Sequence, residues 1–199
     1  MPKAFTEKEK GTLRAQMREK GKKLFETHGL KKTSVDELTE AVGISKGAFY
    51  LFYESKEELF MEILEGFEKE IQEKILNFAA NPNANARKNV SEALKSFLLT
   101  WDDYPLLKNL GKADFDYLVR KLPAERVMQH SNNDEEFTSQ LIKKIKREGI
   151  QVKASPRVIG NLMKSLFFFS LHREDMGNAA YTETMNLLID LVSGHIVGE

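Results

Sequence analysis

The stretch TSVDELTEAVGISKGAFYLFYESKEEL, Thr33–Leu59, places three helix starts and one tight turn in quick succession. Thr33 or Ser34 offers an oxygen to cap a helix, and Glu37 completes a capping box, in which cap oxygen and carboxylate satisfy exposed backbone N–H groups reciprocally. That helix runs only to about Val42, because Gly43 follows and tolerates the positive φ of a helix end. Ser45 caps the next helix, which must stop before Ser55, where Ser-Lys-Glu-Glu opens another. Helices this short are not stable alone in water. They hold by packing: Val35, Leu38, Ala41 and Val42 give the first an inner face, Ile44 plugs the corner, and Ala48 and Phe49 face back inward.

Two short helices joined in this way form a helix-turn-helix, whose second helix is of a size to enter a DNA major groove. Its outer edge carries Ser45, Lys46, Gly47, Tyr50 and Leu51. A glycine inside a helix costs ~1 kcal/mol relative to alanine, which makes sense at Gly47 if another molecule must come close. Lys56 falls in the first turn of the following helix, where a cation opposes the helix dipole but suits a phosphate.

Charge around this stretch is lopsided. The whole chain is neutral, with 30 basic and 30 acidic side chains, yet residues 1–35 hold ten basic against four acidic ones. The remainder beyond residue 53 is net acidic. An N-terminal part that meets an anion fits this polarity. There is no Cys, which excludes disulfides and thiolate metal sites and suits a reducing interior. No apolar run is long enough to span a bilayer, and the N-terminus has no apolar signal core. A cytoplasmic protein with no membrane partner is expected.

The rest of the chain reads as helix. Thr6 and Glu9 form a capping box for a first helix, with Leu13, Met17, Leu24 and Phe25 on one face and an end near His28-Gly29. The helix opened at Ser55 is long, with apolar residues from Leu59 to Phe78, and the Asn81–Ala86 stretch breaks it. Another follows through Val90, Leu94, Phe97, Leu98 and Trp101. Pro105 and Pro123 predict short pieces between Asp102 and Asn133, then a helix from Asn133 closed at Gly149. Ser155-Pro156, a cap plus a proline at the first helical position, starts one running to about His172. Asn178 starts the last, striped by Tyr181, Met185, Leu188, Val192 and Ile196. Period-2 alternation is missing, so the fold class is all-α, with about nine helices.

At this point a resemblance is specific. Thr33, Ser34, Ala41, Gly43, Ile44, Ser45, Gly47, Tyr50, Ser55, Lys56 and Leu59 match the helix-turn-helix signature of the TetR family of transcriptional repressors. The likeness covers about residues 8–60. Tyr53 stands where that pattern has Phe, and Leu51 and Phe52 where His, Arg or Tyr is frequent. The resemblance implies a DNA-binding domain over 1–53 and an effector-binding and dimerisation domain over 54–199. It implies phosphate contacts from Thr33, Tyr50 and Lys56, groove contacts from Ser45, Lys46, Gly47, Ala48 and Leu51, and Ser34 within the same surface. The expected partners are double-stranded operator DNA, a small-molecule effector and a second copy of the chain.

The C-terminal part agrees with such a plan. The helix from Ser155 has one apolar row at Val158, Leu162 and Leu166 and another at Ile159, Met163, Phe167 and Phe168, so it is buried on two sides. Two such helices from each of two chains make a four-helix bundle, with Val158, Leu162, Leu166, Phe167, Met185, Leu188 and Val192 as interface candidates. Trp101, Tyr104, Phe115, Tyr117, Phe137, Met163, Phe168 and His172 are candidates for an apolar pocket, which suits a lipophilic effector such as a fatty acyl derivative, a drug or an aromatic. Ordinary core packing explains the same residue types.

Catalysis finds no support. His28, His130, His172 and His195 lie far apart, and no metalloprotease, nucleophile-elbow or phosphate-loop motif is present. His172, with Glu174 and Asp175 beside it, stands at a helix end, where the dipole favours an imidazolium. No catalytic residue, cofactor or metal site is expected. The expected function is therefore a homodimeric repressor released from its operator by a small lipophilic effector. Two rivals stay open: a DNA-binding protein controlled by a protein partner, favoured by insensitivity to a broad compound screen, and an all-α enzyme, favoured by turnover of a screened compound.

Overall fold

The computed structural model describes residues 5–78, 86–102, 104–147 and 149–197. Among them are eleven helices: α1 Glu7–Lys32, α2 Val35–Val42, α3 Lys46–Phe49, α4 Lys56–Phe78, α5 Ala86–Asp102, α6 Pro105–Lys108, α7 Lys112–Lys121, α8 Ala124–Arg147, α9 Pro156–Ser170, α10 Arg173–Met176 and α11 Asn178–Ile196. The described residues contain no strand, only an isolated antiparallel bridge between Val152 and Val197. The fold is all-α, as expected, and the extra helices over the expected nine are single turns. Most of the break expected over Asn81–Ala86 lies outside the described residues.

The chain forms two compact units: Met1–Phe67 with Pro105–Leu122, and Glu68–Tyr104 with Pro123–Glu199. The first thus extends beyond the expected boundary after Tyr53, because the first half of α4, α6 and α7 all pack into it. Met17, Phe25, Leu38, Phe49, Leu59, Phe60 and Leu118 are buried there. Phe25 and Phe60 meet edge to face at 5.0 Å, a pair worth about 0.5–1.5 kcal/mol beyond its area. Gly21 lets α1 approach closely: a Cβ there would lie 3.1 Å from Leu59 Cδ2 and 3.4 Å from Leu38 Cδ2. In the same unit, Lys31 pairs with Asp114 at 2.9 Å and the Tyr117 hydroxyl donates to Glu57 Oε1 at 2.9 Å.

Both N-terminal capping boxes form. Thr6 accepts from the Glu9 N–H, and Ser34, not Thr33, accepts from the Glu37 N–H. Glu37 in turn accepts from the Ser34 backbone N–H at 2.7 Å and from its hydroxyl at 2.8 Å. These bonds, the backbone one foremost, hold the Glu37 carboxyl below its ordinary value of 4.5. A folded-state pKa lowered in this way adds stability above the unfolded value, lost as pH falls through the folded one. The wild-type urea midpoint should therefore fall relative to Glu37→Gln as pH drops below 4.5. A parallel decline of the two midpoints would dismiss the Glu37 contribution.

The second unit is built on a core of Val90, Leu94, Ile142, Ile159, Leu166, Tyr181, Met185, Ile189, Ile196 and Val197. Helix α11 packs on α5, where Arg87 reaches Asp190 at 3.1 Å, and α8 packs on α9. Helix α8 corrects the sequence expectation: it starts at Ala124, not near Asn133. Pro123 ends the preceding segment and its carbonyl accepts the first helical bonds, from Arg126 and Val127. The polar Ser131–Asp134 stretch is then a solvated helix face, with Asn132 and Asn133 exposed. Helix α9 begins at Pro156 as expected, with Ser155 accepting from the Val158 N–H, and ends at Ser170.

Candidate nucleic-acid interface

Helix α2 ends at Gly43, whose φ of 80° is the left-handed conformation that glycine adopts without strain. The turn returns the chain into α3, which has only four residues, Lys46–Phe49. It is shorter than the sequence suggests because the chain tightens after Phe49. Leu51 N–H bonds Ala48 O and Phe52 N–H bonds Phe49 O, so the segment continues as turns to Tyr53. Phe49 is fully buried and anchors this short element, with Tyr53 at 5.7 Å and Tyr50 edge-on at 5.5 Å.

On its outer side stand the residues singled out by sequence. Ser45 caps α3 by accepting from the Ala48 N–H at 3.1 Å. Lys46 is exposed and pairs with Asp36 of α2 at 3.0 Å. That hydrogen bond and charge raise the Lys46 pKa, so it keeps its positive charge. Gly47 is exposed, and a Cβ placed there would find only Ser45 Oγ, 3.9 Å away. Ala48 is half-buried. Tyr50 is 50% and Leu51 73% exposed, large side chains projecting from a four-residue helix. Phe52 turns the other way and meets Phe5 at 6.3 Å. Ser34 is exposed beside them as the cap of α2.

Two of the expected contact residues are turned into the fold. Thr33 has 0% exposure, and its hydroxyl donates to Gly29 O at 2.9 Å. It secures the kinked end of α1, where Gly29 has φ 77°, and is closed to solvent there. Lys56 does open α4, but its ammonium turns inward, donating to Leu30 O at 2.8 Å, Lys31 O at 3.0 Å and Thr33 O at 2.6 Å. A cation opposed to the dipole of its own helix thereby neutralises the negative end of another. All three of its donors are committed to the backbone rather than to a ligand.

The pocket candidates divide between the two units. Phe115 and Tyr117 belong to the first unit; Tyr104, Phe137, Met163, Phe168 and His172 belong to the second, and the Trp101 side chain lies outside the described residues. Tyr104 bonds Glu70, and His172 Nδ1 lies 2.8 Å from Asp175 Oδ2. Phe137 is buried and Phe168 half exposed. A cavity of about 30 Å³ in the second unit is lined by aliphatic side chains including Ile75, Leu94, Ile145 and Ile196; of the candidates, only Met163 lines it. The interface candidates also divide. Leu166 and Met185 lie in the chain's own core, and Leu188 and Val192 pack against it. Leu162 and Phe167 are half-buried, while Val158 is exposed. Leu187 at 59% and Leu191 at 60% exposure are the outward residues of α11.

Residues 9–63, which include α2 and α3, match the family model described as bacterial regulatory proteins, tetR family. Over these residues the chain is similar to that family. Two HTH-type transcriptional regulators of Bacillus subtilis (strain 168) are similar to part of this chain. YhgD is 36% identical over 76 residues, which are 38% of this chain and 39% of YhgD. YuxN is 34% identical over 79 residues, 38% of this chain and 27% of YuxN. The chain therefore spans well under half the length of either relative. A tetR-family transcriptional regulator from Pectobacterium atrosepticum shares the fold over 98% of this chain and 99% of its own, with TM-score 0.71 and 22% identity. Among the described residues no helix is long and apolar enough to cross a membrane.

Proposed function

We propose that this protein is a DNA-binding transcriptional repressor of the tetR family that acts as a homodimer and leaves its operator when a small lipophilic effector binds. The observation that carries the DNA-binding half is the outer edge of α3, where Lys46, Tyr50 and Leu51 project beside the sterically open Gly47. In this reading Ser45, Lys46, Gly47, Ala48 and Leu51 approach base edges, and Ser34 and Tyr50 reach phosphates. Selection from a random duplex pool tests it. A two-fold dimer enriches a near-palindrome with half-sites about 34 Å apart, one helical turn; an unenriched pool counts against the proposal.

Gly47 offers a sharper discrimination. Nothing in the chain crowds a Cβ at this position, and alanine is the better helix former by ~1 kcal/mol. Gly47→Ala should raise the unfolding midpoint while weakening operator binding, because the added methyl meets DNA. A variant that gains stability and keeps full affinity would take the closest approach to DNA away from this residue.

The effector half rests on the aliphatic cavity enclosed by α4, α5, α8, α9 and α11. Its 30 Å³ has room for about one water, so an effector enters by opening the unit. Release requires the effector to bind the DNA-free state better; a 100-fold preference corresponds to ~2.7 kcal/mol of coupling. By reciprocity, operator DNA then weakens effector binding by the same factor. Equal effector affinities with and without operator would leave a DNA binder and no induced repressor.

A further inference from the structure

We propose that Glu68, His130 and Asp134 form a binding site for a divalent transition-metal ion of the zinc class. His130 and Asp134 stand four residues apart on α8, so they share one face, and Glu68 approaches from the second half of α4. His130 Nε2 lies 3.6 Å from Glu68 Oε1 and 4.0 Å from Asp134 Oδ2. One ligand atom from each of the three lies within 4.8 Å of the others. Separations of 3.6 and 4.0 Å exceed the length of a good hydrogen bond between these atoms. They suit an ion placed between them. A tetrahedral ion with bonds of about 2.0–2.2 Å to nitrogen and oxygen needs ligand atoms roughly 3.3–3.5 Å apart, a contraction that small side-chain rotations supply.

The donor set narrows the ion. One imidazole and two carboxylates are a borderline set that suits zinc, whereas magnesium and calcium prefer oxygen alone. Three ligands leave a fourth position for water. All three side chains are half-buried, and two carboxylates with a neutral imidazole match the charge of a divalent ion. An open polar hollow of about 340 Å³ beside α8 and α9 includes Ser131, Asp134, Arg157, Asn161 and Lys164 and gives water a path to the Asp134 side. Lys164 comes from α9 to the same Asp134 oxygen at 3.4 Å and is held by the Ser131 hydroxyl at 3.0 Å. Its ammonium competes with the metal for that carboxylate. The i,i+4 pair on α8 is visible in sequence, but Glu68 is distant along the chain, so sequence reading places no metal here.

The full-length protein, stripped with a chelator, should retain one zinc per chain on equilibrium dialysis against micromolar zinc chloride, with excess magnesium chloride failing to displace it. His130→Ala and Glu68→Gln should each weaken zinc binding by roughly tenfold or more, by loss of a direct ligand. Lys164→Met should tighten it, since the competing cation is gone. His28→Ala and His172→Ala, at the other His–carboxylate pairs, should leave it unchanged. Unaltered affinity in folded His130→Ala and Glu68→Gln proteins, or wild-type protein without zinc after dialysis, would overturn the site. If the ligand variants fail to fold, unchanged or weaker zinc binding by Lys164→Met would overturn it as well. Zinc retention is measured without DNA, so the outcome is independent of the repressor reading.

Discussion

Lys56→Ala should lower the stability of the N-terminal unit by about 1.5–3 kcal/mol, the range for hydrogen bonds made by a charged group. The substitution strips Leu30 O, Lys31 O and Thr33 O of one shared donor. It also removes the positive charge at the C-terminal end of α1, which favours that end of the helix dipole. Lys56→Met, which keeps the aliphatic stem, should lose nearly as much, because the ammonium and not the stem makes the bonds. The check is a urea titration followed by helical circular dichroism, with a lower midpoint expected for both variants. Operator binding, measured at a temperature where the variant is folded, then separates two roles. A structural lysine leaves the slope of log affinity against log salt unchanged; a lysine that turns outward onto a phosphate lowers it by about one.

The second large effect concerns assembly. Leu187→Glu combined with Leu191→Glu should convert the proposed dimer to monomer in sedimentation while the helical spectrum is retained. Both side chains are exposed in the single chain, so a charge there costs the fold little; against a second copy it is buried unpaired. Affinity for a two-half-site operator should fall by roughly a hundredfold or more, because linkage of the half-sites is lost. Leu166→Glu is the contrast. Leu166 is a core residue, and its replacement should unfold the second unit rather than dissociate it. A Leu187→Glu, Leu191→Glu protein that sediments as a dimer would put the interface on another face.

What the sequence made legible is what short-range chemistry controls. The capping boxes at Thr6 and Ser34, the Gly43 turn, the Ser45 cap and the Ser155-Pro156 start each depend on neighbours within four residues. The all-α class follows from periodicity alone. What sequence did not settle depends on contacts between distant residues. Thr33 reads as a surface threonine, yet packing around the end of α1 buries it completely. Lys56 reads as a free cation at a helix start; only packing brings the end of α1 within its reach. On α9 and α11 apolar residues occupy more than one face, so the pattern could not say which row meets the chain's own core. Leu166 and Met185 do, leaving Leu187 and Leu191 outside. The aromatic pocket candidates divide between the two units for the same reason: residue type gives affinity for an apolar site without giving its location.

The most direct measurement compares binding of the wild-type protein to the duplex enriched from the random pool and to a scrambled duplex of equal length, at one physiological salt concentration. A sequence-reading helix-turn-helix dimer binds the enriched duplex at least about a thousandfold more tightly. Equal affinities for the two duplexes would contradict recognition through the outer edge of α3.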